Sequence, residues 1–356
     1  MSNFMRKEYD SIVPYTPGEQ LNDKKYIKLN TNESPFPASP KVLEALNTNL
    51  ISSLRLYSDP KLKKIKEAIA DFYNVTPEQI FVGNGSDDVI AFAFMAFGGL
   101  GGEFCCPDIT YSFYPVFADL FKVNLEQIPL KDDFSIDVND YIGKNKNIII
   151  ANPNAPTGLA LTHEEIELIV KTNPHNVVII DEAYVDFAEN TSVVDLVNQY
   201  ENLMVTQTFS KSRSLAGLRV GFSVSSKALT ADLEKLKYSF NPYNVNTLSI
   251  EAAAAAISDR KYYEETIAET VKIREFTKEE LIKRGFTVTD SKTNFVFAKT
   301  DRIPSSELYT ELRNRGILIR YFGAPRISEY FRMSMGTMEQ MKKVIEVIDE
   351  IIKERE

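Results

Sequence analysis

The sequence predicts an α/β chain: a large unit on a mostly parallel central sheet flanked by helices, followed by a smaller α+β unit. Two observations carry this expectation. The runs "EFCC", "NIIIAN", "VVIID" and "NLMVTQ" are short, apolar, largely β-branched and unalternating, as strands covered on both faces read. Helical patterns separate them, which is the order of a βαβ sheet. After about residue 240 the texture changes, so a second unit is expected there.

Taken in order, residues 1–40 are rich in Pro, Asn and Tyr and read as an extended arm that joins the smaller unit. "SPKVLEALNTNL" and "DPKLKKIKEAIADFYN" carry apolar residues at helical spacing, among them Leu62, Ile65, Ile69 and Phe72. Each offers a Ser or Asp cap just before a proline at the first helical position. From "QIFVG" onward strands and helices alternate, and residues 41–240 form the large unit. Residues 241–356 begin with a long helical stretch, continue through "FTVTD", "NFVFAK" and "ILIRYF" as short strands, and end in the amphipathic "TMEQMKKVIEVIDEIIKE". A chain of 356 residues exceeds one compact core, in keeping with two units.

Composition removes several function classes. A formal charge of −9 argues against nucleic acid or an anionic membrane as partner, because both require a basic face. His163 and His175 are the two histidines, both in polar settings, so a histidine-based zinc site or a Ser-His-Asp triad is a poor fit and no metal is expected. Cys105 and Cys106 are adjacent and read as buried thiols in a reducing compartment. "MSNFMRKEYD" lacks the apolar core of a signal peptide, and a soluble cytoplasmic protein is the expectation.

The chemistry-bearing residues follow the strands. "FVGNGSDD" sets Gly83, Gly85, Ser86 and Asp87 before a helical pattern, where unpaired N–H groups hold a phosphate. Asp88 spoils a dinucleotide fingerprint, so a tight capped turn is the plain alternative. Asn152 in "NIIIANPNAPTG" either makes a sharp turn or offers an amide to a flat ligand. Asp181 ends "VVIID" and either caps a helix or meets a cation, since a buried carboxylate needs a partner. Lys211 lies at the same sheet edge, with Thr208, Ser210 and Arg219 supplying donors suited to a phosphate. A lysine pressed among donors is pushed toward its neutral, nucleophilic form. Lysine for an aldehyde, carboxylate for a pyridine nitrogen and a cradle for phosphate are the needs of pyridoxal 5′-phosphate.

"NPNAPTG", "DEAYVDF" and "TFSKSRSLAGLRVGF", in this order, resemble the fold-type-I, pyridoxal-phosphate-dependent aminotransferases, specifically their histidinol-phosphate branch. "YTPG", "LNTNESPF", "LYSDP", "GNGSDD", "PDITYSFY", "ILIRYF" and "FRMSMGT" extend the likeness nearly end to end. The resemblance implies that Lys211 forms an aldimine with the cofactor, that Asp181 pairs with the pyridine nitrogen, and that Asn152 and Tyr184 bind the ring oxygen. It implies that Tyr111 stacks on the ring, and that Ser86, Asp87, Thr208, Ser210 and Arg219 hold the phosphate. It further implies a homodimer in which Tyr57 reaches the phosphate of the neighbouring subunit, with Arg332, Arg320, Tyr15 and Asn32 meeting the substrate. The expected reaction moves an amino group from histidinol phosphate to 2-oxoglutarate in ping-pong half-reactions, as a step in histidine biosynthesis.

Two positions depart from the commonest spelling, Ala155 for asparagine and Ser58 for proline, and both are read as changes of loop geometry that remove no functional side chain. Three rival readings stay open here. They are a decarboxylase of a phosphorylated amino acid such as threonine phosphate, an aromatic amino-acid aminotransferase, and a non-catalytic nucleotide-binding protein using "GNGSDD".

Overall fold

In the computed structural model, which describes residues 4–21, 23–189 and 191–355, β1 (Ile27–Lys28) precedes the strands of the main sheet. Those are β2 (Ile80–Gly83), β3 (Glu103–Pro107), β4 (Asn124–Ile128), β5 (Asn147–Ala151), β6 (Val178–Asp181), β7 (Leu203–Thr208) and β8 (Gly221–Ser225). They lie side by side in the order β2-β8-β7-β6-β5-β3-β4. Every pairing from β7 to β4 is parallel, while β8 runs antiparallel to both neighbours. The carboxyl ends of β2, β5, β6 and β7 therefore share one edge.

The unalternating strand sequences have a direct cause. Ile148, Ile150, Ile180 and Val205 face one side, onto helices Lys63–Tyr73, His163–Thr172 and Thr247–Ser258. Ile149, Ile179 and Met204 face the other, onto Ser86–Ala93, Phe113–Phe121 and Lys227–Phe240. Both faces being covered, each fully buried Ile or Met contributes about 1.5–3 kcal/mol.

Two strands of this sheet leave no clear mark in the sequence, for different reasons. At its edge β4 is part-exposed and mixed in polarity, and β8 follows the Lys211 loop with only a single 3-10 turn, Ala216–Leu218, and no α-helix between. The "DPKL" helix also starts later than its proline predicts. Leu62 takes a left-handed backbone, φ 53°, and the helix begins at Lys63. Asp59 instead accepts from the N–H groups of Lys61 and Lys63 at 3.0 and 2.9 Å.

Further along, β9 (Thr287–Val288), β10 (Phe295–Lys299), β12 (Arg320–Tyr321) and β13 (Phe331–Ser334) form a four-stranded antiparallel sheet, and β11 (Ile317–Leu318) pairs in parallel with β1. "ILIRYF" is thus two strands serving two sheets. A separate core of Leu281, Phe286, Val296, Met333, Ile348 and their neighbours packs beneath Arg260–Lys283, Ser305–Asn314 and Met338–Arg355. Cys105 and Cys106 are unpaired and fully buried, which pushes both thiols up to about 12. No helix among the described residues is long and apolar enough to cross a membrane.

Candidate functional site

Strand ends at the shared edge line a cavity of about 330 Å³, into which Ser86, Asp181, Thr208, Ser210, Lys211 and Arg219 all look. A second cavity of about 480 Å³ adjoins it, sharing Thr31, Tyr111, Ala155, Tyr184 and Lys211, and extends toward Tyr15, Asn32, Arg320 and Arg332.

The phosphate-type cradle is built by backbone approach. Gly85 has φ 94° and precedes the helix that opens at Ser86. A side chain on Gly85 would strike the Arg219 guanidinium at 2.5 Å, and one on Gly221 would strike Ser86 N at 2.2 Å. Glycine at both positions lets Arg219 and the start of β8 press against the helix N-terminus. Arg219 donates to Ser210 Oγ at 3.3 Å and to Asp87 at 3.2 Å, and Ser210 Oγ accepts from Thr208 Oγ1 at 3.0 Å. A basic group, two hydroxyls and free helix N–H groups converge on one pocket wall.

Asp181 is buried at the end of β6, with Tyr114 Oη donating to it at 2.7 Å and Thr206 Oγ1 at 3.5 Å. No cation is bonded to it among the described residues. Burial, with the charge of Asp87 adding to it, pushes its carboxyl up to about 6. Its neighbour Glu182 is also buried and pushed up to about 8, although Val193 N, Ser192 and Gln207 all donate to it. Lys211 Nζ donates to the Thr31 carbonyl at 3.3 Å and lies 5.7 Å from the centre of the Tyr184 ring. Tyr184 Oη accepts from Asn32 Nδ2 at 2.8 Å. Tyr111 lines both cavities and turns its hydroxyl to Asp87 at 2.8 Å.

Arg320 and Arg332 stand directly opposite each other on β12 and β13. Paired residues of an antiparallel ladder project to the same face, so this is a like-charge pair over the second cavity. Arg332 is half-buried, donates to Asn30 O at 3.2 Å, and leaves its buried Nε unbonded. Arg320 donates to Thr16 O at 3.3 Å. Tyr15 packs on Phe113 with ring centres 4.8 Å apart. These features suit an anionic substrate with apolar walls beside it.

Two expected residues are not at the cavities. Asn152 spends its amide on the backbone of Leu161, accepting from its N–H at 2.7 Å and donating to its carbonyl at 3.2 Å. It pins the turn, and the residue of that turn which faces both cavities is Ala155. The reading of Asn152 as a ring-oxygen ligand is therefore corrected, and Ala155 is a change at the cavity wall as well as in the loop. Tyr57 is 84% exposed and stacks on Tyr243 at 4.6 Å, away from this chain's cavities. Two further contributors carry little signal in the sequence: Tyr114, three residues after Tyr111 on the buried face of its helix, and the Thr31 carbonyl. The Tyr111/Tyr114 spacing was the one available signal. Among the described residues no group of three or more His, Cys, Asp or Glu side chains could hold a metal ion.

Comparison with known proteins places this geometry in context. The family model for aminotransferase class I and II matches residues 24–348. A histidinol-phosphate aminotransferase of Brachyspira hyodysenteriae is 50% identical over 99% of this chain and 100% of its own length. One from Acinetobacter baumannii is 47% identical over 98% of this chain and 97% of its own. Among solved structures, histidinol-phosphate aminotransferase from Sinorhizobium meliloti in complex with pyridoxal 5′-phosphate superposes with a TM-score of 0.89 at 22% identity, covering 99% of both chains. L-threonine-O-3-phosphate decarboxylase from Porphyromonas gingivalis reaches 0.79 at 20% identity, covering 92% of this chain and 99% of its own. Shape alone does not separate the two activities.

Proposed function

Because the chain belongs to the aminotransferase class I and II family, we propose that it moves an amino group between histidinol phosphate and 2-oxoglutarate, with pyridoxal 5′-phosphate as cofactor. The observation that carries the substrate reading is the ladder pair of Arg320 and Arg332, an unneutralised anion site one cavity away from Lys211. The same pair serves a phosphate in one half-reaction and a second carboxylate in the other.

The residues fit the cofactor. A buried carboxylate with no bonded cation awaits a protonated ring nitrogen at Asp181, and the glycine-lined cradle with Arg219, Ser210 and Thr208 suits its phosphate. Bound there, pyridoxal 5′-phosphate supplies an aldehyde that condenses with amines and a cationic ring that takes up electrons when a neighbouring C–H proton leaves.

Lys211 would be the residue that holds the cofactor covalently and, as a free amine, the base that would move a proton from the substrate carbon. Asp181 would keep a ring nitrogen protonated, and Tyr114 fixes that carboxylate. Tyr184, itself held by Asn32, would supply a hydroxyl to the ring oxygen, and Tyr111, on the wall of the same cavity, would cover the ring. Arg332 and Arg320 bind the substrate's anionic groups, and Tyr15 closes the cavity beside them. Tyr57 reaches the phosphate cradle of a second copy of the chain, a role supported by its outward, stacked placement.

The test adds histidinol phosphate, threonine phosphate and phenylalanine separately to the loaded enzyme and follows the cofactor's visible absorbance. Conversion from the aldehyde to the amine form by histidinol phosphate, with a carbonyl product, is the expected result. Carbon dioxide release from threonine phosphate, or preference for phenylalanine, overturns the assignment.

A further inference from the structure

Lys237 is the one lysine of the helix Lys227–Phe240 with no exposed surface, and no step of the reaction above uses it. Burying an ammonium is costly unless it is fully partnered. Its partners are Glu234 Oε2 at 2.6 Å and the carbonyl of Pro60 at 3.1 Å. Glu234 is shared, its other oxygen meeting Lys66 at 2.6 Å. Tyr238 Oη donates to the same Pro60 carbonyl at 3.1 Å. Burial draws the Lys237 pKa below the ordinary lysine value, with Glu234 opposing.

Pro60 closes the short segment "LYSDP", and the rest of that segment is tethered as well. Ser58 Oγ donates to the Val245 carbonyl at 2.7 Å, Asp59 caps the backbone of Lys61 and Lys63, and Tyr57 stacks on Tyr243. These ties surround an exposed aromatic residue that is stacked outward on Tyr243. Pre-ordering a side chain matters when it has a partner to meet, because the ordering entropy is then spent before contact.

We propose that Lys237 is a positioning residue, which locks the "LYSDP" segment so that Tyr57 reaches the phosphate cradle of a second copy of this chain. This rests on the role assigned to Tyr57 above.

The test measures how fast the loaded enzyme releases pyridoxal 5′-phosphate into a scavenger, by visible absorbance, in Tyr57→Phe, Lys237→Met, Ser58→Ala and the Tyr57→Phe/Lys237→Met double variant. Loss of one hydrogen bond to a charged group predicts about tenfold faster release for Tyr57→Phe. Lys237→Met is expected to match it, the double variant to go no further, and Ser58→Ala to move the same way by less. Sedimentation velocity confirms that the variants remain dimers. Unchanged release in Tyr57→Phe sinks the role of Tyr57 itself. Faster release in Tyr57→Phe, with wild-type release in Lys237→Met, or additive effects in the double variant, overturns the positioning role alone. So does weak retention that appears only with loss of the dimer. Should Lys237→Met fail to fold, Ser58→Ala decides, and wild-type release there counts against the proposal.

Discussion

Tyr114 Oη donates a 2.7 Å hydrogen bond to Asp181 Oδ2 in the buried interior, and this carboxylate is still pushed up to about 6. Neutral donors, Tyr114 and the more distant Thr206 Oγ1, do not replace the water that a buried carboxylate loses. The site is built around a negative charge that is unstable until a cation arrives.

Cofactor-free protein should therefore lose stability as pH rises. Between the ordinary value of 3.8 and about 6 the folded state holds a proton at Asp181 that the unfolded chain has released. The Asp181 contribution falls through that window by about 3 kcal/mol and then levels, while Glu182, pushed up to about 8, carries the parent and the variant alike further down toward pH 8. Cofactor-free Asp181→Asn lacks this loss and should melt above the cofactor-free parent at pH 7.5, while its loaded form turns over far more slowly. Thermal midpoints of both stripped proteins from pH 4 to 7.5 check this, and parallel profiles would contradict it.

For Lys211→Ala the expectation is a folded protein that retains phosphate-anchored cofactor but loses the covalent link and the base. Turnover should drop by about 10⁴-fold or more. Borohydride, which fixes the cofactor to the parent, should leave the variant unlabelled by mass spectrometry. Transamination near the parent rate would end the assignment.

The Asn152 amide bridges both backbone groups of Leu161. Asn152→Ala should accordingly act on stability, lowering it by about 1–3 kcal/mol as two buried backbone groups lose partners. Ala155→Asn, by contrast, adds an amide at the wall of both cavities. It should leave the melting midpoint of the stripped protein near the parent's while shifting the pH dependence of the bound cofactor's absorbance. A spectral shift caused by Asn152→Ala and absent in Ala155→Asn would restore the first reading of that turn.

The contrast between these two positions shows what the sequence could carry. Asp181, Thr208 and Lys211 were legible because each ends or follows a strand whose unbroken apolar run already specified a doubly covered sheet. Arg219 was legible through the glycines beside it. Asn152 was misassigned because the side-chain directions in "NPNAPTG" depend on turn geometry, and neither spacing nor polarity encodes it. Tyr114 was missed since its hydroxyl is buried, and a Tyr on an apolar helix face reads as core. β8 escaped notice because an antiparallel strand inserted among parallel ones leaves no local mark.

Arg320 and Arg332 face each other without a carboxylate between them, and burial lowers the Arg332 pKa, with Arg320 adding to the effect. An anion bound between them relieves both penalties at once, so the loaded enzyme, whose cofactor cradle is already filled, should gain stability from inorganic phosphate. At 100 times its dissociation constant the gain is about 2.7 kcal/mol. In Arg332→Gln that stabilisation should vanish, and the unliganded variant should melt no lower than the parent because a half-buried charge with a buried, unbonded Nε has gone. The KM for both the phosphorylated donor and the oxo-acid acceptor should rise by about 10–100-fold, the worth of one charged hydrogen-bonding group. A rise for one substrate alone would mean that the two anions use different arginines.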